Sequence, residues 1–297
     1  MSTIPAPSTA SPHWKDYLLL TKPIVVALLL TTTLAAMIVG AGKIPSFGLI
    51  FWTLLGGGLT AGGASAINQY IDRDRDKAMV RTRKRPLPDG RLNARQVIGF
   101  GLILCILGLA LLVLFVNLLS AALALLGIFY YVVLYSLVLK PTTVQNIVIG
   151  GGAGAIPPLV GWAAATGSLS VPAFFLFSLI FFWTPPHFWA LALLKKQDYA
   201  RAGVPMLPVV AGERETRIHI LLYTVQLVAF SMLLPLANLG GALYILLAVV
   251  LGTALVIFAI RLWRQGGNRQ AWSMYRYSSI YLALIFFSLV ADTLLTI

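Results

Sequence analysis

Apolar runs of about 20 residues recur nine times along this chain, near 23–41, 49–70, 96–116, 118–139, 145–165, 172–194, 218–238, 241–260 and 277–296. Each is long enough to cross the hydrocarbon core of a bilayer as a helix. Lipid offers the backbone no hydrogen-bond partners, so such segments must satisfy their own N–H and C=O groups. The expected fold class is therefore all-α: a polytopic membrane protein of nine transmembrane helices. Composition agrees, because 59% of the residues are hydrophobic and 10% are charged, against about 25% charged in a soluble domain. Residues 1–13 are expected to be a disordered tail without the pattern of a signal peptide. Residues 14–297 are expected to form one nine-helix domain. The single cysteine, Cys105, lies in an apolar run and excludes a disulfide framework within the chain.

The basic residues orient the helices. With the N-terminus in the cytoplasm, 21 of the 22 Lys and Arg fall in cytoplasmic segments and only Lys43 lies outside. That asymmetry follows the positive-inside rule and places the C-terminus outside. The net charge of +13 then reflects orientation and anionic ligands, with no nucleic acid implied. Gly58 with Gly62, and Gly150 with Gly154, have the GxxxG spacing of close helix contacts. Pro157-Pro158 and Pro185-Pro186 free backbone carbonyls and mark breaks that face protein or a cavity.

The stretch INQYIDRDRDKAMVRTRKRPLPDG, residues 67–90, holds four of the nine acidic residues. Asn68, Asp72 and Asp76 are spaced i, i+4, i+8 and share one face of a helix, while Asp74 points the other way. Such a row offers hard oxygen ligands suited to Mg²⁺ with substrate phosphates. Arg81, Arg83, Lys84 and Arg85 follow and can fork onto phosphate oxygens. The competing reading is a solvated loop whose aspartates balance arginines. A second polar loop, KKQDYARAGVPMLPVVAGERETR, carries Asp198, Tyr199 and Arg201. The two loops, four helices apart, suggest two halves meeting over a central cavity.

NQYIDRDRD, MVRTRKRPLPDG and DYARAGVPMLPVVAG resemble the intramembrane prenyltransferases, which move an isoprenoid chain from its diphosphate to an acceptor. The resemblance runs from TKP at 21–23 to the last helices, and the WTPPHFWALAL and DYARAGVPMLPVV stretches point to the branch that farnesylates protohaem IX. The resemblance implies nine helices around a central cavity and a metal motif Asn-x₃-Asp-x₃-Asp, matched by Asn68, Asp72 and Asp76. It implies a second aspartate motif, here reduced to Asp198 because Ala202 stands four residues on. That leaves a second Mg²⁺ open, with Tyr199 or Lys195 as substitutes.

The implied reaction takes farnesyl diphosphate and haem B, adds water, and gives haem O. Asn68, Asp72, Asp76 and Asp198 are the expected catalytic set, and Arg73, Arg81, Arg85, Lys140 and Arg201 the expected diphosphate ligands. His187, Tyr135 and Tyr199 are expected at the haem acceptor. His187 lies mid-membrane, where an ionisable residue is a functional candidate, although a histidine bonded to a proline-freed carbonyl would also fit. Tyr130, Tyr131 and Tyr135 suit either cation stabilisation or interfacial anchoring. His219 reads as structural and His13 as incidental. The expected setting is a bacterial inner membrane with the site facing the cytoplasm, and a haem A synthase or terminal oxidase downstream.

Three rivals remain. A quinone or chlorin prenyltransferase would share the first motif. A CDP-alcohol phosphotransferase is opposed by DGRLNAR at 89–95, which has one residue too many. A transporter is opposed by a polar constellation confined to one face.

Overall fold

The computed structural model describes residues 13–295. Among them there are helices and no strands. Long helices run over Pro23–Ala41 (α1), Phe47–Ile71 (α2), Ala94–Phe115 (α3), Leu118–Thr142 (α4), Asn146–Thr166 (α5), Val171–Leu194 (α6), Gly212–Ser231 (α7), Ala242–Gln265 (α8) and Gly267–Leu295 (α9). Eight of these, all but α7, are long and apolar enough to cross a membrane. Helix α7 opens with Glu213, Arg214, Glu215 and Arg217 and ends at Ser231; a 3₁₀ turn, Leu234–Ala237, follows. The run expected at 218–238 thus starts earlier and breaks sooner. Pro235 lacks the N–H that an α-helix would need there. Helix α9 begins ten residues before its apolar run, because hydropathy marks only the part in lipid.

The expected tail at 1–13 lies outside the described residues except for His13. Its side chain accepts from Lys15 N and caps the short helix Trp14–Leu20. Buried Asp16 of that helix is clamped by Arg91, which also reaches Asp89.

The centre of the bundle is α5. Two-thirds of its membrane window is buried, against half for α6 and 22% for α1. Ala155, Leu159, Leu176, Leu179, Ala190 and Ile220 belong to the core around it. Pairing depends on small residues, though not the pairs expected. A Cβ on Gly63 would sit 2.6 Å from Gly101 O, and one on Gly108 2.6 Å from Gly56 O. The α2–α3 seam therefore runs through Gly56 and Gly63, whereas a Cβ on Gly58 meets nothing nearer than Leu30 at 3.4 Å. Gly150 packs on Tyr135, while Gly154 faces open space. Backbones this close gain dispersion contacts, a main source of cohesion between helices in lipid.

Helix α4 changes winding midway. From Tyr130 to Leu139 it is a π-helix, with Lys140 N bonded to Tyr135 O five residues back. Such winding is rare and gathers at functional sites.

Candidate active site

Helix α2 ends at Asp72, but the helical register continues into the short helix Arg73–Ala78. Asp72 N bonds Asn68 O at 2.9 Å and Asp76 N bonds Asp72 O at 2.8 Å. The i, i+4, i+8 row is preserved across the joint. Asn68, Asp72 and Asp76 are 2%, 1% and 3% exposed, so the row is no solvated loop. Asp74 points to solvent and pairs with Arg73 at 3.7 Å.

A connected network holds the row. Asn68 Nδ2 donates to Asp72 Oδ2 and to Ser136 Oγ, both at 2.9 Å. Asn68 Oδ1 accepts from Lys22 Nζ at 3.0 Å and from Tyr131 OH at 3.1 Å. Ser136 Oγ in turn donates to Tyr131 O at 2.7 Å. Tyr131 and Ser136 are five apart, and the π winding brings both to Asn68; in an α-helix the neighbours would be three or four apart. Lys140, five residues beyond Tyr135, reaches Asp72 Oδ2 at 2.5 Å. Arg85 meets Asp76 Oδ2 at 2.6 Å and Arg75 lies 3.5 Å from Asp72 Oδ1. Four cations thus surround two carboxylates, an excess suited to an anionic ligand. Asp72 Oδ1 is buried and accepts no hydrogen bond.

Lys22, which the sequence reading passed over, adopts φ 51°, a left-handed conformation. The position before a proline ordinarily excludes helical backbone. Burial first, then the neighbouring Arg85 charge, lowers its pKa from 10.5 to about 8. A lysine in so unfavourable a backbone, aimed at Asn68, fits the strain found at functional sites.

The expected diphosphate cations divide. Lys140 and Arg85 join the row. Arg81 is exposed but acts electrostatically on Lys22 and Tyr199. Arg73 does not join it: its guanidinium donates to Tyr70 O at 3.0 Å and lies over the Tyr70 ring at 4.5 Å. Helical geometry explains its direction, since position 73 is one residue past Asp72 and faces aside. Arg75, at i+3 from Asp72, faces the row instead. Arg201 pairs with Asp198, whose Oδ1 also accepts from Val80 N at 3.4 Å. Asp198 therefore ties the second polar loop to the first rather than entering the row. Lys195 is exposed.

Tyr199 lies in the short helix Lys196–Arg201 of the second polar loop. Its pKa is raised by burial, and the charges acting on it include Arg81, Asp198 and Arg85, with Tyr275 beside them. Tyr135 stacks on Tyr131 at 5.8 Å, under Lys140, and lies within electrostatic range of Tyr199. Tyr130 instead donates to Ile149 O. Tyr275 packs on the imidazole of His187, with ring centroids 4.6 Å apart, and Trp183 stacks on that imidazole at 4.2 Å.

His187 is 7% exposed and its Nδ1 lies 2.8 Å from Ser278 Oγ. The Ser278 hydroxyl donates its one proton to Tyr275 O at 2.8 Å. Where the serine proton goes to Tyr275 O, Nδ1 donates to Ser278 Oγ and Nε2 keeps a lone pair. His187 is thus bonded to a serine, not to a proline-freed carbonyl. His219 Nδ1 bonds Glu215 O, and its ring meets Trp189 edge-on.

Among the described residues no three His, Cys, Asp or Glu side chains converge as a metal-holding group. The row supplies two carboxylates and an amide. A groove of about 740 Å³ between α1, α2 and α3, lined by Leu30, Phe51, Leu54 and Phe100, is apolar and stands apart from the row.

Comparison with known proteins places this geometry. Residues 29–288 match the UbiA prenyltransferase family. A protein named protoheme IX farnesyltransferase from Roseiflexus castenholzii is 52% identical over 278 residues, 94% of this chain and 52% of that one. One of the same name from Chloroflexus aurantiacus is 52% identical over 99% of this chain and 51% of its own length. The chain spans about half the length of these two relatives. A third, from Symbiobacterium thermophilum, is 50% identical with 94% of each chain covered.

Among solved structures, one described as digeranylgeranylglyceryl phosphate synthase in membranes superposes with a TM-score of 0.78 at 18% identity, covering 94% of this chain and 98% of that one. A UbiA homolog from Archaeoglobus fulgidus bound to GPP and Mg2+ has a TM-score of 0.64 at 16% identity, covering 93% and 99%. At those identities the likeness is one of fold. The family match and the relatives together show that the chain is an integral membrane protein belonging to the UbiA prenyltransferase family.

Proposed function

We propose that this chain transfers the farnesyl group of farnesyl diphosphate to a vinyl group of haem B, with addition of water, to give haem O. The observation that carries the reading is the buried Asn68–Asp72–Asp76 row inside an excess of cations. Relatives at about 50% identity bear the name of this activity, and a UbiA homolog of the same fold is bound to a prenyl diphosphate and Mg2+.

The donor set fits Mg²⁺. Asp72 Oδ1 is a buried carboxylate oxygen without a hydrogen bond, and two carboxylates plus an amide leave positions for water and phosphate. Asn68, Asp72 and Asp76 would hold the ion, which when bound neutralises the leaving diphosphate as a Lewis acid. Lys22, Lys140, Arg75 and Arg85 share that charge, and Arg81 extends the cradle to the surface. As the C1–O bond breaks, the electron pair leaves with the diphosphate, where these cations stabilise it.

Tyr131 and Tyr135 present ring faces to the farnesyl cation beside the row. Around it, Gly150, Gly151 and Gly152 let Tyr135, Thr184 and Tyr130 close onto α5, and this packing excludes water. The vinyl carbon of haem B supplies the electrons for the new C–C bond. Water adds to the resulting cation and releases a proton. His187 Nε2, held with a free lone pair, is the group we assign to the haem iron.

The nine helices are read as one domain over residues 14–297, with the N-terminus and the site on the cytoplasmic side of a bacterial membrane. The haem O formed would pass to a haem A synthase or terminal oxidase. Purified protein given haem B, farnesyl diphosphate and Mg²⁺ should form haem O, detected by mass spectrometry. A folded protein that forms none, or prenylates a quinone or chlorin instead, refutes the assignment.

A further inference from the structure

The α8–α9 hairpin holds a second polar cleft that the reaction does not use. It measures about 440 Å³ and is lined by Phe258, Arg261, Gln265, Arg269, Gln270 and Ser273. It faces away from the active site. Tyr275 and Ser278 of α9 meet His187, whereas Gln270 and Ser273 lie on the opposite helical face. The hairpin is tightly made: Gly266 and Gly267 take φ +64° and +81°, and Gln270 Nε2 donates to Gln265 Oε1 across the turn at 2.7 Å.

Three observations define what the cleft binds. First, its charge has one sign. The chain has no acidic residue between Glu215 and Asp292. Among the described residues Arg261, Arg264, Arg269 and Arg276 form no ion pair with a carboxylate. Second, it lies at the end of the hairpin, past the apolar runs of α8 and α9. Trp263 and Trp272, on the two helices of the hairpin, are 41% and 49% exposed, as tryptophans are at the membrane–water boundary. Third, its floor is apolar. Phe258 stacks on Tyr277 at 4.6 Å, on the side of the cleft toward the apolar runs of the two helices.

We propose that this cleft binds the headgroup of an anionic phospholipid, Arg261 and Arg269 forking onto the phosphate while the acyl chains run down past Phe258. Basic pockets between transmembrane helices take such headgroups, and guanidinium forks match phosphate oxygens. A zwitterionic headgroup would bring its ammonium beside Arg261 and Arg269 with no carboxylate in the lining to offset the repulsion. The inference rests on the helices crossing a membrane, not on the proposed reaction.

Native mass spectrometry of the detergent-purified full chain tests it, with phosphatidylglycerol, phosphatidylcholine and inorganic phosphate as probes. The chain should retain phosphatidylglycerol in preference to phosphatidylcholine. Arg261→Gln with Arg269→Gln should weaken that retention about fivefold per arginine, about 25-fold together. Arg264→Gln with Arg276→Gln makes the same change in net charge outside the cleft and should leave retention intact. Equal loss in both pairs would show a general surface field and overturn the site. So would unchanged retention in the first pair, or displacement of the lipid by inorganic phosphate. Haem O formation, measured separately, reports on the reaction and decides nothing about the cleft.

Discussion

Replacing Asp72 by Asn separates the metal-binding role of the row from a structural one. The change is nearly isosteric, and the side chain is 2% exposed, so the fold should survive. What it alters is charge. Lys22, Lys140, Arg75 and Arg85 face Asp72 and Asp76, giving the cluster an excess of two positive charges. Asp72→Asn raises that excess to three. An added charge about 5 Å from a phosphate oxygen, at an effective dielectric of about 20, is worth at most about 3 kcal/mol, or about a hundredfold in affinity.

Diphosphate without metal should therefore bind the variant more tightly than the wild type, by up to that factor. Haem O formation with Mg²⁺ should fall, because the carboxylate proposed to hold the metal is gone. Loss of one group that stabilises a leaving anion costs about 10²–10³ in turnover. The assay pairs pyrophosphate protection against thermal unfolding in EDTA with turnover in Mg²⁺. Tighter metal-free binding with lost turnover is the expected signature. Turnover within about threefold of wild type, or weaker metal-free pyrophosphate binding, would refute the reasoning.

Arg73→Gln should leave turnover within about twofold, whereas Arg85→Gln should lower it at least about tenfold, as rates at saturating haem would show. His187→Ala should change the absorption spectrum of bound haem. Ser278→Ala, which removes the acceptor for His187 Nδ1–H, should lower haem affinity about 3–10-fold in a spectroscopic titration while prenyl diphosphate binding stays constant. Gly161→Ala forces a Cβ against the Thr33 backbone and should destabilise the bundle by about 1–3 kcal/mol in a thermal melt. Asp292→Ala removes the carboxylate that accepts from Gly241 N at 2.6 Å and Tyr244 N at 2.7 Å, costing about 1–2 kcal/mol of stability without changing KM.

Some of this was legible in the chain because it depends on near neighbours. Apolar runs of membrane length specify helices wherever backbone groups have no water to bond. The spacing of Asn68, Asp72 and Asp76 specifies a common face, and Asp74 falls opposite for the same reason. Other features were not legible, because nothing local decides them. Which cation meets which carboxylate depends on how helices pack. Arg73, next to the row in sequence, turns to Tyr70, while Lys22, 46 residues from Asn68, reaches it. The π winding of α4 moves Tyr131, Ser136 and Lys140 onto a face that α-helical periodicity does not predict. The α2–α3 seam chose Gly56 and Gly63 over Gly58 and Gly62, because contact spacing is set by the partner helix as much as by the motif.

The sequence by itself determined the helices, the common face of the acidic row and the lopsided distribution of positive charge, since each follows from hydropathy, helical period or residue count. Only the tertiary structure decided that Lys22, Arg75, Tyr131, Ser136 and Lys140 gather around the row, that Asp198 ties two loops together, and that Ser278 meets the His187 imidazole. Those contacts join residues far apart in the chain, and their partners are selected by packing in three dimensions rather than by any local pattern.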